Sequence, residues 1–336
     1  MTTLSLGDLA NTFQIRRQSA GLKADLTRLG TELTSGRKTD LGAALAGDFG
    51  PFAGIERSLR AVAAYKTANS EAATMLSASQ LALGNVQSMG QDLGPALLIA
   101  STARDVTLIG ATAEDARQKF SAVVSSLNTS VADRTLFGGA ATDRPALASA
   151  ETMLADLALA VSGETTAAGI VTAVDSWFDD PGGGFETIGY LGSSNDMGPF
   201  SIAEDEAAAV GVRADDQVMR DTLKSYALVS LIAEGALDGN VEEQAELTAA
   251  AAGNMLSAEG GLTHLRARIG AIEARIEDAQ ARNAAETTAY EMARNELIAV
   301  DPYQTATELE AVYSQIETLY TVTARIAGLS FLDYMR

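Results

Sequence analysis

Two leucine-rich stripes, one near each end of the chain, constrain the fold more than any other feature of the sequence. Leu22, Leu26, Leu29 and Leu33 step by four, three and four, and Ile15 lies one heptad before Leu22. Towards the other end Leu262, Leu265, Ile269, Ile272 and Ile276 step by three and four, and Leu309, Val312, Ile316 and Leu319 do so again. An average spacing of 3.5 residues predicts helices with one apolar edge, the seam of a coiled coil. The residues between are charged or small and polar, as at Arg275, Glu277, Asp278, Glu308 and Glu310. Burying a Leu or Ile is worth roughly 1.5 to 3 kcal/mol, and a lone helix recovers almost none of it, so each end needs a partner helix. Spacing alone is equally compatible with the ordinary core of one helical bundle.

Breaks in the pattern favour pairing of the two ends with each other and with neighbours. Asp40 to Gly54 holds Gly42, Gly47, Gly50, Pro51 and Gly54 and predicts an interruption. Asp301-Pro302 predicts a second one, with Asp301 capping the next helix and Pro302 in its first turn. Between them a long helix is expected from Ile55 to Leu83 or beyond, kinked or ended at Gly94-Pro95. Another should start at Thr112, with Asp115 three residues on, and carry Phe120, Val124, Leu127 and Val131. Helices are also expected from about Asp215 to Ala233 and from about Val241.

Residues 138 to 205 differ, with glycine and proline punctuation at Gly138-Gly139, Pro145, Pro181 to Gly184 and Gly198-Pro199. Strand candidates at Phe185 to Leu191 and Phe200 to Ala203 sit among modest helices at Ala148 to Val161 and Ala168 to Phe178. The expected fold is mainly α: an elongated helical bundle built from both chain ends, with coiled-coil termini and a small inserted α+β domain. The expected division is a terminal domain of residues 1–40 and 301–336, a helical rod of 41–139 and 206–300, and an inserted outer domain of 140–205.

Composition narrows the function classes. Aromatics are only 5% of a chain without cysteine, so disulfides are excluded and stability must come from packing or assembly. Residues 139–245 carry four basic against nineteen acidic side chains, net −15 of the chain's −20. With no basic face, nucleic acid is not an expected partner. No apolar run approaches the roughly 18 to 20 residues of a membrane span. The opening MTTLSLGDLANTFQ lacks the basic and apolar regions of a cleaved secretory signal. A cytoplasmic protein, or one exported without cleavage, is expected.

Catalytic patterns are missing. The single histidine, His264, sits beside the Leu262/Leu265 seam and reads as a helix-flank residue. No Gly-x-Ser-x-Gly, dinucleotide fingerprint or phosphate-loop lysine is present, and metal sites using His or Cys are excluded by count. Asp179-Asp180-Pro181-Gly182 lacks the alternating ligands and closing Glu of a calcium loop, and Asp215-Asp216 suits a helix N-terminus better than acid–base work. No enzyme activity, cofactor or metal is expected.

Three stretches together resemble one family. Glu32-Leu33-Thr34-Ser35-Gly36-Arg37-Lys38 is similar to the end of the first helix in bacterial flagellins and their relatives. Leu136-Phe137-Gly138-Gly139 resembles the signature of the flagellar hook-filament junction family, the hook-associated protein 3 family. The ending Leu329-Ser330-Phe331-Leu332-Asp333-Tyr334 is similar to that family's ending and differs from flagellin's. The likeness covers roughly residues 1–139 and 206–336; TDLGAALAGDFGPF after Lys38 and the extra Arg336 depart from the family pattern.

The resemblance implies a structural adaptor between hook and filament, exported through the flagellar type III channel and located on the extracellular flagellum. It would be assembled as a ring by heterologous contacts. Its implied partners are further copies of itself, the adjoining junction protein on the hook side, flagellin on the filament side and a flagellar export chaperone, without membrane. The assembly interface then comprises Ile15, Leu22, Leu26, Leu29, Leu33, Leu309, Val312, Ile316, Leu319, Leu329, Phe331, Leu332 and Tyr334. Two alternatives stay open: a filament-forming flagellin, and a surface adhesin or enzyme with its activity in 140–205.

Overall fold

The computed structural model describes residues 6–334, with the side chains at 6–9, 11 and 327–334 outside that description. The fold is mainly α. In chain order it runs α1 (Leu6–Ser35), α2 (Leu41–Ala44), α3 (Gly50–Ala103), α4 (Val106–Leu127), β1 (Ser130–Val131), β2 (Arg134–Thr135), α5 (Ala150–Ala160) and α6 (Ala167–Asp179). It continues with β3 (Phe200–Ala203), β4 (Glu206–Ala208), α7 (Gln217–Ala233), α8 (Val241–Ile298) and α9 (Pro302–Tyr334). The strands pair antiparallel as β1–β2 and β3–β4. The chain divides into two compact units, residues 1–63 with 284–336, and residues 64–283.

In the first unit α1 and α9 pack together and run antiparallel, because the end of α1 is tied to the approach of α9. Lys38 N–H donates to the Ile298 carbonyl at 2.8 Å, Val300 N–H to Gly36 at 3.2 Å, and Arg37 and Ala299 form an isolated antiparallel bridge. Gly36 takes a φ of +69° to make that turn, a conformation open to glycine at little cost. Glu32, buried near the end of α1, accepts from Thr39 N–H at 2.8 Å and from Arg28 at 3.2 Å. The loop that follows is ordered by Asp40, which caps the single turn of α2, and by Asp48, which accepts from Gly50 N–H. Asp301 caps α9 as expected, accepting from the N–H groups of Tyr303 and Gln304 at 2.9 and 3.2 Å, with Pro302 as the helix's first residue.

The second unit holds the main core. The fully buried run Thr222 to Leu231 of α7 packs against α4, α5 and α6. In α4 the expected stripe is buried at Phe120, Val124 and Leu127. The stretches of α3 and α8 within this unit lie side by side, joined by Gln80 to the Arg266 carbonyl at 2.9 Å and by Arg266 to Gln87 at 2.6 Å. Leu262, Leu265, Ile269 and Ile276 are buried there. Residues 140–205 contribute Met153, Leu157, Ile170, Val174 and Phe178 to the same core.

Three sequence expectations are corrected. Pro95 does not end its helix, which runs on to Ala103. Pro95 is exposed while Leu93, Leu97 and Ala100 are fully buried, so packing of the opposite face offsets the hydrogen bond that the missing N–H removes. α4 begins at Val106, capped by Asp105 through Leu108 N–H at 2.9 Å. Thr112 spends its hydroxyl on the Leu108 carbonyl inside the helix. Phe185 to Leu191 is not a strand: Phe185–Gly189 forms a π-helical turn closed by Tyr190 N–H to the Phe185 carbonyl at 2.7 Å. Phe185, its one aromatic side chain, packs against both Trp177 and Phe178.

Candidate assembly surface

The first unit buries its seam unevenly. On α1, Leu22 and Leu29 are buried, Ile15 and Leu26 half-buried, and Leu33 is 37% exposed. On α9, Leu309, Val312, Ile316 and Leu319 are all half-buried. Two helices cover only one side of each stripe, so the apolar edges meet but remain open at their flanks. The backbone of Leu329, Phe331, Leu332 and Tyr334 belongs to α9, and their side chains lie outside the described residues.

A second feature of this unit escaped the sequence reading. One position round from its seam, α9 exposes Tyr313 and Tyr320, each 54% exposed, with Tyr303 at 84%, interleaved with the exposed Glu310 and Glu317. The corresponding edge of α1 shows Arg16, Ala20 and Lys23. A groove of about 370 Å³ runs between these edges, lined by Ile15, Arg16, Ala20, Lys23, Leu319 and Tyr320 among others. The signal was present in the sequence as a heptad echo, Tyr313 to Tyr320 and Glu310 to Glu317, but the stronger aliphatic stripe masked it.

Leu136-Phe137-Gly138-Gly139 lies elsewhere, in the second unit, as a buried junction of four segments. Leu136 N–H donates to Thr129 at 3.1 Å, Phe137 carbonyl accepts from Ala214 N–H at 2.9 Å, and Gly138 carbonyl accepts from Ser193 N–H at 2.9 Å. Phe137 is fully buried. A Cβ on Gly138 would sit 2.6 Å from the Ala141 carbonyl oxygen, and one on Gly139 2.5 Å from that of Asn195. The motif therefore ties the end of α4, the 190s loop and the approach to α7 into one knot, which accounts for its residue types.

Charged groups in the second unit form ion pairs of structural character. Arg213 Nε donates to Asp215 Oδ1 at 2.7 Å and its Nη1 meets Asp196. The Asp215 hydrogen bond raises the guanidinium pKa despite partial burial. Asp215 and Asp216 stand immediately before α7, at the helix start where the sequence placed them, and there they also pair with Arg213, while Asp216 at the N-cap makes no side-chain cap bond.

Lys224, almost fully buried, bridges Asp175 at 2.9 Å and Asp179. Burial pushes the Lys224 ammonium down and the two carboxylates more than reverse it. Burial likewise pushes the Asp179 carboxyl up, and the Lys224 hydrogen bond and charge outweigh that and hold it low. Trp177 donates its indole N–H to Asp156 at 2.7 Å. His264 is exposed. Among the described residues no group of three or more His, Cys, Asp or Glu is placed to hold a metal ion, and no helix is long and apolar enough to cross a membrane.

With this geometry in view, the family model for the bacterial flagellin C-terminal helical region matches residues 254–335, which span the later part of α8 and all of α9. No curated protein sequence matches the chain significantly. The fold is similar to the crystal structure of Bacillus cereus FlgL, with a TM-score of 0.51 and 13% identity over 70% of this chain and 96% of that one. A protein from Vibrio parahaemolyticus described as a flagellar hook-associated protein has a TM-score of 0.48 and 13% identity, over 72% and 94% of the two chains.

Proposed function

We propose that the chain is a structural subunit of the bacterial flagellum, placed at the junction of hook and filament and built into a ring by contacts between copies. The observation that carries the reading is the half-covered α1/α9 seam, whose α9 side lies inside the region that matches the flagellin C-terminal helical model. A stripe left open at its flanks gains burial only when neighbours supply more helices, and each half-buried Leu or Ile that becomes covered gains part of the roughly 1.5 to 3 kcal/mol that full burial is worth. Ordering of the terminal helices and binding are then coupled. In this reading Leu22 and Leu29 close the α1/α9 pair from within, the open flanks of Ile15, Leu26, Leu33, Leu309, Val312, Ile316 and Leu319 meet neighbouring copies, and Leu329, Phe331, Leu332 and Tyr334 complete the contact. Outside the ring, the partners are a junction protein on the hook side, flagellin on the filament side and an export chaperone beforehand. The chain acts without catalysis and works outside the cell.

Immunogold labelling of intact flagella tests the position: a single band near the filament base is expected, and label along the whole length would overturn it. A second reading, a filament-forming flagellin, is favoured by the description of the matched helical region itself. Purified chain seeded with filament fragments separates the two: long growing filaments would establish the second reading, and their absence is expected under the first.

A further inference from the structure

Flanking one groove, the α1/α9 pair carries two unlike stripes, and they complement each other. The α1 edge is basic with small residues between the charges, Arg16, Ala20 and Lys23; the α9 edge is acidic with aromatic knobs, Tyr313, Glu317 and Tyr320. Among the described residues the side chains of Arg16, Lys23 and Glu317 make no ion pair, so this charge is unspent. We propose that this face docks on the same face of a second copy of the chain, so that each copy lays its α9 stripe on the other's α1 stripe.

Symmetry makes the contact specific. Of the twofold arrangements that bring two such faces together, an axis perpendicular to the helices stacks α1 on α1 and α9 on α9, like charge on like. An axis parallel to the helices stacks α9 on α1, antiparallel, with both contacts identical. A parallel twofold also leaves every residue at its own height along the axis. The register within one copy is fixed at one end by Gly36 beside Val300 and at the other by Ile15 to Lys23 beside Leu319 to Thr323. On the Gly36–Val300 register Arg16 of one copy is level with Tyr320 of the second, a cation–π geometry, and Lys23 stands one helical turn from Glu317, within reach of its carboxylate, while Ala20 leaves room for the ring.

The area suits a stable pair. Residues 12–35 of α1 span roughly 36 Å at 1.5 Å per residue, and two helices side by side are roughly 20 Å wide. The face thus offers roughly 700 Å² per copy, close to the roughly 800 Å² per partner of a standard interface. The inference does not rest on the flagellar reading, since it uses only the two stripes and their register. Where that reading holds, a copy joining a ring must first leave this pair.

Sedimentation velocity of the full chain at low salt, with zero-length carbodiimide cross-linking of mixed ¹⁴N and ¹⁵N copies, tests it. The wild type is expected to form a dimer, weakened by added salt, with mixed-isotope cross-links joining Lys23 to Glu317. Lys23→Glu or Glu317→Lys alone should weaken dimerisation about tenfold or more, since each places like charges together twice. The double variant K23E/E317K, and an equimolar mixture of the two single variants, should each recover it to within about threefold, a rescue that a merely structural loss would not show. A wild type that stays monomeric at the highest attainable concentration would overturn the proposal. So would a dimer indifferent to the reversals, or one that neither combination restores. A wild type that fails to dimerise yet labels a band on flagella would sink this inference and leave the junction reading standing.

Discussion

At the residue scale, the glycines of the Leu-Phe-Gly-Gly knot are fixed by what surrounds them. Gly139 combines a φ of +61° with two carbonyl oxygens within 2.7 Å of any added Cβ, so Gly139→Ala should cost about 1 to 2 kcal/mol from backbone strain and more from the two clashes, read as a lower urea midpoint for the second unit. Gly184 makes a comparable demand, because a Cβ there would lie 1.8 Å from the Trp177 indole nitrogen. Gly184→Ala is therefore expected to shift the emission of Trp177, the chain's one tryptophan, as well as to destabilise.

The pairing of Asp179 with Lys224 gives a signed pH effect. The folded-state pKa of Asp179 is held low, so its contribution is present above the ordinary carboxylate value of about 3.9 and is lost as pH falls through the lower folded value. Asp179→Asn should thus be less stable than wild type at pH 7, with the gap closing below about pH 4 in thermal melts. The residue types of the knot were legible as a motif in the sequence. Their reason was not, since it depends on Asn195, Ser193 and Ala214, which approach only through the fold.

At the element scale, the α1/α9 pair is held by few fully covered side chains. Leu29 is 2% exposed, and Leu29→Ala should cost about 2 to 3 kcal/mol. Amide exchange is the fitting readout, with faster exchange expected in α1 and α9 and protection in α4 and α7 unchanged, because stability is local to a unit. Elements with strong period and a good cap were readable in advance: α9 with Asp301 and Pro302, and α7 from its apolar run. The misread ones share a cause. Pro95 is tolerated because its neighbours are buried, and the turn at Phe185 adopts its shape because Trp177 and Phe178 receive it; both facts are tertiary.

At the scale of the whole molecule, the two units imply separable losses. Deleting residues 301–336 removes α9 and leaves residues 64–283 with their core intact. The truncated chain should keep a cooperative melt and native Trp177 emission, while failing to enter flagella or to restore motility in a strain lacking the wild-type chain. A truncated chain that still supports filaments would count against the assembly role of the terminal helices.

The sequence by itself determined that the chain is mainly α and that both ends carry an apolar edge in need of partners, because heptad spacing and side-chain type are local properties that survive any arrangement of neighbours. Only the tertiary structure decided how far each edge is covered and that a tyrosine and glutamate stripe and a basic stripe flank one groove. It alone decided, too, that residues 140–205 share their core with α4 and α7. Burial and proximity are sums over segments distant in sequence, and no pattern along a single strand of text contains them.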